Sequence, residues 1–550
     1  MIRAIDSVIT SPTASSIQVL PRSAKKIKET TLMTLHTAKR LLTGLCILGL
    51  SGCSGGGSGG SGNNDGAAGT SAEVFAQAGA FLTKEAQTVG DPVAGREALL
   101  SGSYMQCGVP YKVMRIPEVA SLVAAQWGNA SITDPLPGRE GNGAELPYWM
   151  NTFVNLDGAE VVNANCLLCH GGKFDGELVL GLANANADFT GGVGGAAIPA
   201  FPQSLLDLLG LDVAEQASLD KLLQRAAIIG SSTRMRTVGH NPAETLAVTL
   251  MVHHDRNTLA WSDEPYNEFV VRDRDGSIRT EDNTVTSDPA PWWRVKKKNA
   301  LFYNGMARGD HRGTMALATS VCVDDIPTAE IVDDMFVDIQ AFILTVEAPK
   351  YQRAIDATLA EEGKTIFGND CAACHGTYAT DAELAAGMED TYPNLLIPLD
   401  VIGTDPVVAE AGVLHSPELV EWYNDSFYGQ ITQMVPDDPF PGYMPPPLDG
   451  IWATAPFLHN GSVPTIDLLL NSSARPAVWK RLSLDTTVFD EEALGWPYVE
   501  LDYSQQEAPV EEKKFVYDTS YWSQSNVGHT FGDHLSSGER SAVIEYLKTL

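Results

Sequence analysis

Apolar residues recur at helical spacing in several stretches of the chain, and these stretches predict its main elements. Leucines and alanines over 204–228 predict core helices, and 242–252 repeats the pattern more briefly. Over 330–346, Ile331, Met335, Ile339, Phe342 and Ile343 form one stripe, and Pro349 follows as a stop signal. A further helix is expected over 350–368, ending near Gly368. Ser536-Ser537-Gly538-Glu539 has the form of a capping box and opens a last helix running to Leu550. Pro and Gly punctuate the intervening segments. The expected fold is mainly α, with long loops and few short strands, and with a domain boundary near Pro349.

Two short motifs change the picture. Cys166-Leu167-Leu168-Cys169-His170 and Cys371-Ala372-Ala373-Cys374-His375 are both C-x-x-C-H runs followed by Gly. This is the attachment signature of c-type haem. Residues three and four apart share a helical face. Two sulfurs can therefore form thioethers with one porphyrin while the adjacent imidazole turns onto its iron. A redox C-x-x-C is the bland alternative, and a repeat of the whole five-residue pattern argues against it. The expected cofactors are two covalent haems, with His170 and His375 as proximal ligands. Each motif has a closing helix downstream, so 73–349 and 350–550 read as two cytochrome c-like haem domains.

Composition adds limits. Among 550 residues the formal charge is −32, and residues 1–52 carry seven of the basic residues but only two of the acidic ones. Nucleic acid is excluded as a partner, since phosphate neutralisation needs clustered Lys and Arg. Lys39-Arg40 followed by apolar Leu41–Leu50 reads as an export signal, too short to span a bilayer as a mature helix. It ends in Leu50-Ser51-Gly52-Cys53, which resembles a bacterial lipobox. Met33 lies where such a signal would begin. Ser54 fits sorting to the outer membrane, which the chain would meet through lipidated Cys53. Residues 53–72 form a Gly/Ser tether. Of eight cysteines, Cys46 leaves with the signal, Cys53 takes lipid and four bind haem. Cys107 and Cys322 remain, either as a disulfide or as two separately buried thiols. Lys296-Lys297-Lys298 reads first as a solvated face, with a docking spot or a clamp on haem propionates as the alternatives. The glycines of 181–184 and 191–195 have neither a Walker lysine nor a dinucleotide fingerprint around them.

Three stretches carry a family resemblance: Cys371–Tyr378, Gly403-Thr404-Asp405-Pro406, and above all Gly450–Thr465. They resemble the di-haem cytochrome c peroxidase superfamily. Asn526–Gly532 and Glu545–Leu550 are most similar to its di-haem rubber oxygenases. The resemblance spans roughly residues 140–550. It implies that His529, in Gly528-His529-Thr530-Phe531-Gly532, is the distal ligand of the second haem. The first haem would then have an open side lined by apolar residues, for which Ala300, Phe302 and Met306 are candidates. Trp293, with Trp292 in reserve, would relay electrons, and His459 would lie near the second haem. The chain departs from the pattern at Tyr443-Met444-Pro445-Pro446-Pro447, where relatives commonly carry a basic residue, and it is shorter than the rubber-cleaving members.

The implied activity is cleavage of C=C bonds in an apolar polyisoprenoid by dioxygen. The alternatives are a peroxidase that takes electrons from a small redox protein, and an electron-transfer cytochrome with both irons closed. His253-His254 and the glutamates keep the peroxidase open. An iron with two protein ligands shuttles electrons, whereas an open one binds small molecules. The distal sides therefore decide between these readings.

Overall fold

The computed structural model describes residues 75–117, 119, 134–193, 203–280 and 283–550. The export signal, Cys46, Cys53, the 53–72 tether, Gly194 and Gly195 lie outside the described residues. Among the described residues no helix is long and apolar enough to cross a membrane.

Two crossed helix pairs organise the chain. Helix α1 (Pro92–Ser101) is capped by Asp91, whose carboxylate accepts from the amides of Val93 and Ala94. Helices α2 (Val213–Ser232) and α3 (Ala243–His253) follow. Helix α4 (Ile326–Ile343) packs on α1. Helix α5 (Ala357–Asp370) packs in the same way on α6 (Ser537–Leu547). Each crossing passes through a glycine. A Cβ on Gly95 would collide with the Asp338 carbonyl, and one on Gly363 with the Ala542 carbonyl. Backbone meets backbone at both places, so the helices approach more closely than any side chain allows. Gly363→Val is expected to destabilise the fold by about 1–3 kcal/mol through overpacking; a midpoint shift in denaturant unfolding would measure it, and an unchanged midpoint would refute the close-approach argument.

Helix ends follow the caps. The capping box opening α6 is complete: Ser536 Oγ accepts from Glu539 N at 3.3 Å, and Glu539 Oε2 accepts from Ser536 N at 2.8 Å. Helix α4 begins earlier than its apolar stripe suggests, because Asp325 accepts from Thr328 N and Pro327 suits the first turn. Its buried face is Val332, Phe336, Ile339 and Ile343, while Ile331 is 43% exposed. Two apolar stripes lie side by side on this helix, and packing on α1 chooses between them.

The mainly α expectation needs correction: among the described residues helix accounts for 36% and strand for 13%, so the fold is mixed. The strands form small antiparallel sheets between the helices. A strand β1 (Ala80–Phe81) is the first. Strands β2 (Val109–Pro110), β3 (Met150–Val154) and β4 (Glu160–Ala164) make a sheet with β4 central. The hairpin β5 (Gly171–Phe174) and β6 (Glu177–Leu180) turns at Asp175-Gly176, right after the first motif. Strand β7 (Leu395–Pro398) lies between β1 and β8 (Gly442–Tyr443). Strand β9 (Val478–Arg481) lies between β10 (Tyr498–Glu500) and β11 (Val516–Asp518). These strands are two to five residues long. Strands so short show no sustained alternation in the sequence.

The described residues belong to one compact unit. Its two large apolar cores interlock across Pro349. The first takes Trp422, Tyr423, Tyr428 and Met434 from the later half, and the second takes Phe174, Leu182 and Trp293 from the earlier half. A disulfide joins Cys107 to Cys322, with Cα atoms 5.3 Å apart, inside the first core.

Candidate haem sites

The first motif is a single helical turn leaving β4. Asn165 Oδ1 accepts from Leu167 N at 2.8 Å, and Asn184 Nδ2 donates to the Leu168 carbonyl at 2.9 Å. The amides of Gly181 and Asn184 satisfy the carbonyls of His170 and Cys169 at 2.8 and 2.9 Å. The glycine loop after the motif thus caps the turn's exit. Cys166 Sγ lies 3.9 Å from Tyr104 Oη and Cys169 Sγ 3.7 Å from Asn241 Oδ1. The His170 ring stacks on Trp292, with centroids 5.3 Å apart. Burial lowers its pKa to about 4, opposed by the Ala290 carbonyl.

The second motif continues from α5. His375 Nδ1 donates to the Pro446 carbonyl at 2.9 Å, fixing the tautomer and leaving Nε2 for a ligand. The His529 ring faces it, with centroids 6.3 Å apart. Two metal–imidazole bonds of about 2 Å each, with a ring radius of roughly 1 Å beyond each nitrogen, place ring centres about 6 Å apart. The observed pair fits imidazoles on opposite sides of one iron. Burial lowers the pKa of His375 to about 4 and that of His529 to about 3, so both are neutral, as ligation requires.

His529 is held by its loop. Gly528 has φ +74°, and a Cβ there would strike the Gly403 backbone. The His529 amide donates to the Ile402 carbonyl at 2.8 Å. Arg475 donates to the carbonyls of Asn526, Gly528 and His529 at 2.6, 2.7 and 3.1 Å, and to those of Leu468 and Leu469 on the other side. Arg475→Ala is expected to free this loop: carbon monoxide should compete for the position facing His375 in the reduced holoprotein, with both motifs still carrying whatever haem they bind. A carbon monoxide difference spectrum identical to that of the parent would refute it.

Apolar residues surround the second motif. Ile397, Ile402, Val408, Ala409 and Tyr443 form a cluster on which Cys374, Tyr303, Leu399 and Phe531 pack. His459 stacks on Tyr443 at 4.3 Å, and its Nε2 meets Tyr443 Oη at 3.1 Å. Met444 is buried against Leu82, Ala300 and Leu396 as a core side chain. That cluster is where Ala300 lies, apart from Cys166 and Cys169, while Phe302 is 40% exposed with φ +65°. Leu301 and Met306 pack against the core that holds Cys166 and Cys169. Trp292 belongs to the first core and Trp293 to the second, where Trp293 Nε1 donates to the Asp449 carbonyl at 2.7 Å. The tandem indoles thus straddle the two cores. His253 and His254 are occupied elsewhere: His253 Nδ1 bonds the Ser262 carbonyl, and His254 bonds those of Leu250 and Val323. Tyr104, Asn241 and Arg475 have no sequence signal, because each acts through a distant thiol or a backbone carbonyl.

The residues fit a covalent haem. All four motif cysteines are free thiols. Burial pushes Cys166 and Cys374 up to about 11, and Cys169 and Cys371 to about 12. A redox C-x-x-C instead lowers a thiol's pKa. Among the described residues no third or fourth side chain completes a tetrahedral metal set. Residues 442–480, which include Tyr443, Pro446, His459 and Arg475, match a family model described as RoxA-like, cytochrome c-like. The fold and site therefore define a protein with a cytochrome c-like domain, whose cofactor is a c-type haem.

The chain is similar to the uncharacterised protein y4iJ of Sinorhizobium fredii, 30% identical over 256 residues, which cover 36% of this chain and 39% of that one. It is also similar to the uncharacterised protein y4iM of the same organism, 30% identical over 210 residues, covering 36% and 47%. A third relative is a cbb3-type cytochrome c oxidase subunit, CcoP, of Azospirillum brasilense, 35% identical over 88 residues, covering 16% and 27%. The chain spans less than half the length of the curated relatives it matches.

Proposed function

We propose that the chain is an exported di-haem oxidoreductase of the rubber oxygenase kind, which cleaves C=C bonds of a polyisoprenoid with dioxygen. Cys371 and Cys374 would hold one haem, with His375 and His529 as its imidazole donors. Cys166 and Cys169 would hold the other, with His170 as its imidazole donor. When bound, a c-type haem with both axial positions filled by protein transfers single electrons, and one with an open position activates small molecules. The observation that carries this reading is an asymmetry: His375 has an imidazole partner at 6.3 Å, whereas the ring partner of His170 among the described residues is Trp292.

The chain's own side chains serve this division. Pro446 and the His529 loop fix both imidazoles of the closed site. Tyr104 and Asn241 line the open one beside its thiols. Trp292 and Trp293 bridge the two cores and offer a route for electrons. Export and a lipid on Cys53 would suit a substrate that cannot enter the cell. Incubation of the holoprotein with polyisoprene latex should release oligomers ending in aldehyde and ketone. Carbon monoxide should bind one of the two haems. Two haems that both ignore carbon monoxide would exclude both enzyme readings.

A second reading is a peroxidase. His240 supports it: the residue is 3% exposed, its Nδ1 lacks a hydrogen-bond partner among the described residues, and its neighbour Asn241 touches Cys169. Turnover of hydrogen peroxide with a reduced donor, lost in His240→Ala, together with no product from latex, would favour it.

A further inference from the structure

Arg294 is 5% exposed, yet among the described residues its guanidinium has no carboxylate within ion-pair distance. Nε reaches the Asp449 carbonyl and Nη2 reaches Thr454 Oγ1, both at 3.4 Å, and these are its side-chain hydrogen bonds among the described residues. Asp449 and Asp288 act on it only through their charge, without a direct ion pair among the described residues. Asp449 Oδ1 is engaged by Lys297 Nζ at 2.6 Å. Burial pushes the Asp288 carboxyl well above the usual carboxylate range, opposed by the charge of Arg294. Arginine keeps its charge in such surroundings, and a buried charge without a counter-ion is costly.

A second cation lies four residues on. Lys296 pairs with Glu347 at 2.5 Å, and Lys297 pairs with Asp390 and Asp449 at 2.7 and 2.6 Å. Lys298 has no carboxylate partner among the described residues; its Nζ donates to the Phe302 carbonyl at 2.8 Å. Burial, and then the charge of Arg294, push its pKa down to about 8. Of three consecutive lysines, Lys298 is the one without a carboxylate partner among the described residues.

The neighbourhood says which anion is missing. After burial and other contacts, the charge of Arg294 is felt by His375, Tyr303, Tyr378 and Tyr392. Tyr303 packs on the same apolar cluster as Cys374. The groups that shift His170 do not include Arg294. The cation thus borders the pocket of the second motif. A planar guanidinium fork suits a carboxylate. We infer that Arg294, backed by Lys298, receives a propionate carboxylate of the haem attached through Cys371 and Cys374. This rests on a haem at that motif and not on the oxygenase reading.

The test uses the holoprotein with Arg294→Gln and Arg294→Lys, and Lys296→Gln as a surface control. Intact mass should show covalent haem unchanged on the peptide bearing Cys371 and Cys374. Spectroelectrochemistry should show the low-spin haem's midpoint falling in Arg294→Gln, because a nearby cation disfavours the oxidised state. That midpoint should also become pH-dependent near neutrality, since a released propionate takes up a proton on reduction. Arg294→Lys should restore most of the midpoint, and Lys296→Gln should change nothing. An unchanged midpoint and pH slope in Arg294→Gln, a shift confined to the other haem, or an equal shift in Lys296→Gln would each overturn the inference.

Should Arg294→Gln fail to mature, the propionate bending bands of the low-spin haem in resonance Raman spectra decide. A shift between the parent and Arg294→Lys supports the contact, and identical bands refute it. Absence of haem at Cys371 and Cys374 removes the cofactor reading there and the inference with it. Haem present with identical bands removes the inference alone.

Discussion

His529→Ala is expected to double the carbon monoxide taken up per reduced chain, from one haem to two, with both haems still covalently attached. On the proposed reading the closed site depends on His375 and His529, whose ring centroids lie 6.3 Å apart. Removing one would open that position in an apolar pocket built by Ile397, Ile402, Val408 and Phe531. Small ligands bind such positions, and the spectrum of that haem should pass from low to high spin. Attachment through Cys371 and Cys374 and the bond from His375 to Pro446 do not involve His529 and should survive. Unchanged carbon monoxide stoichiometry and spin state would remove His529 from the ligand set. With it would go the asymmetry on which the proposed function depends.

Loss of the Cys107–Cys322 bridge should be the largest purely structural effect. The cysteines are 215 residues apart in sequence, so the bridge closes a long loop in the unfolded chain. Native disulfides in such settings contribute about 2–5 kcal/mol. Both sulfurs are buried beside the sheet that leads into the first motif, where Asn163 Nδ2 donates to the Cys107 carbonyl at 2.7 Å. Cys107→Ala with Cys322→Ala should lower the denaturant midpoint by that margin, and a reducing agent should reproduce the shift in the parent. A double variant as stable as the parent, or a parent indifferent to reductant, would show that the bridge does not carry the fold.

Local chemistry was legible in the sequence where it depends on residues close in the chain. The two C-x-x-C-H turns, the capping box of α6 and the helix of residues 243–253 all rest on contacts within a few positions. The small sheets were not legible, since strands of two to five residues show too little alternation to register. Of the expected stripe of α4, Ile339 and Ile343 are buried, while at its start Val332 and Phe336 are buried in place of Ile331 and Met335, because neighbouring positions are both apolar and only packing on α1 distinguishes them. No sequence pattern located the residues around the first motif's open side: Ala300 packs with Leu82 and Met444, and Phe302 is 40% exposed.

The sequence by itself determined where the two C-x-x-C-H motifs lie and which imidazoles adjoin their cysteines, since that pattern needs only five consecutive residues on one turn. Tertiary structure alone decided what faces each of those imidazoles. His529 meets His375 because Arg475 and the Ile402–Gly403 backbone hold a distant loop in place, and Trp292 meets His170 because two cores interlock. Those contacts run through carbonyls and packed rings remote in the chain, and no local pattern of residues records them.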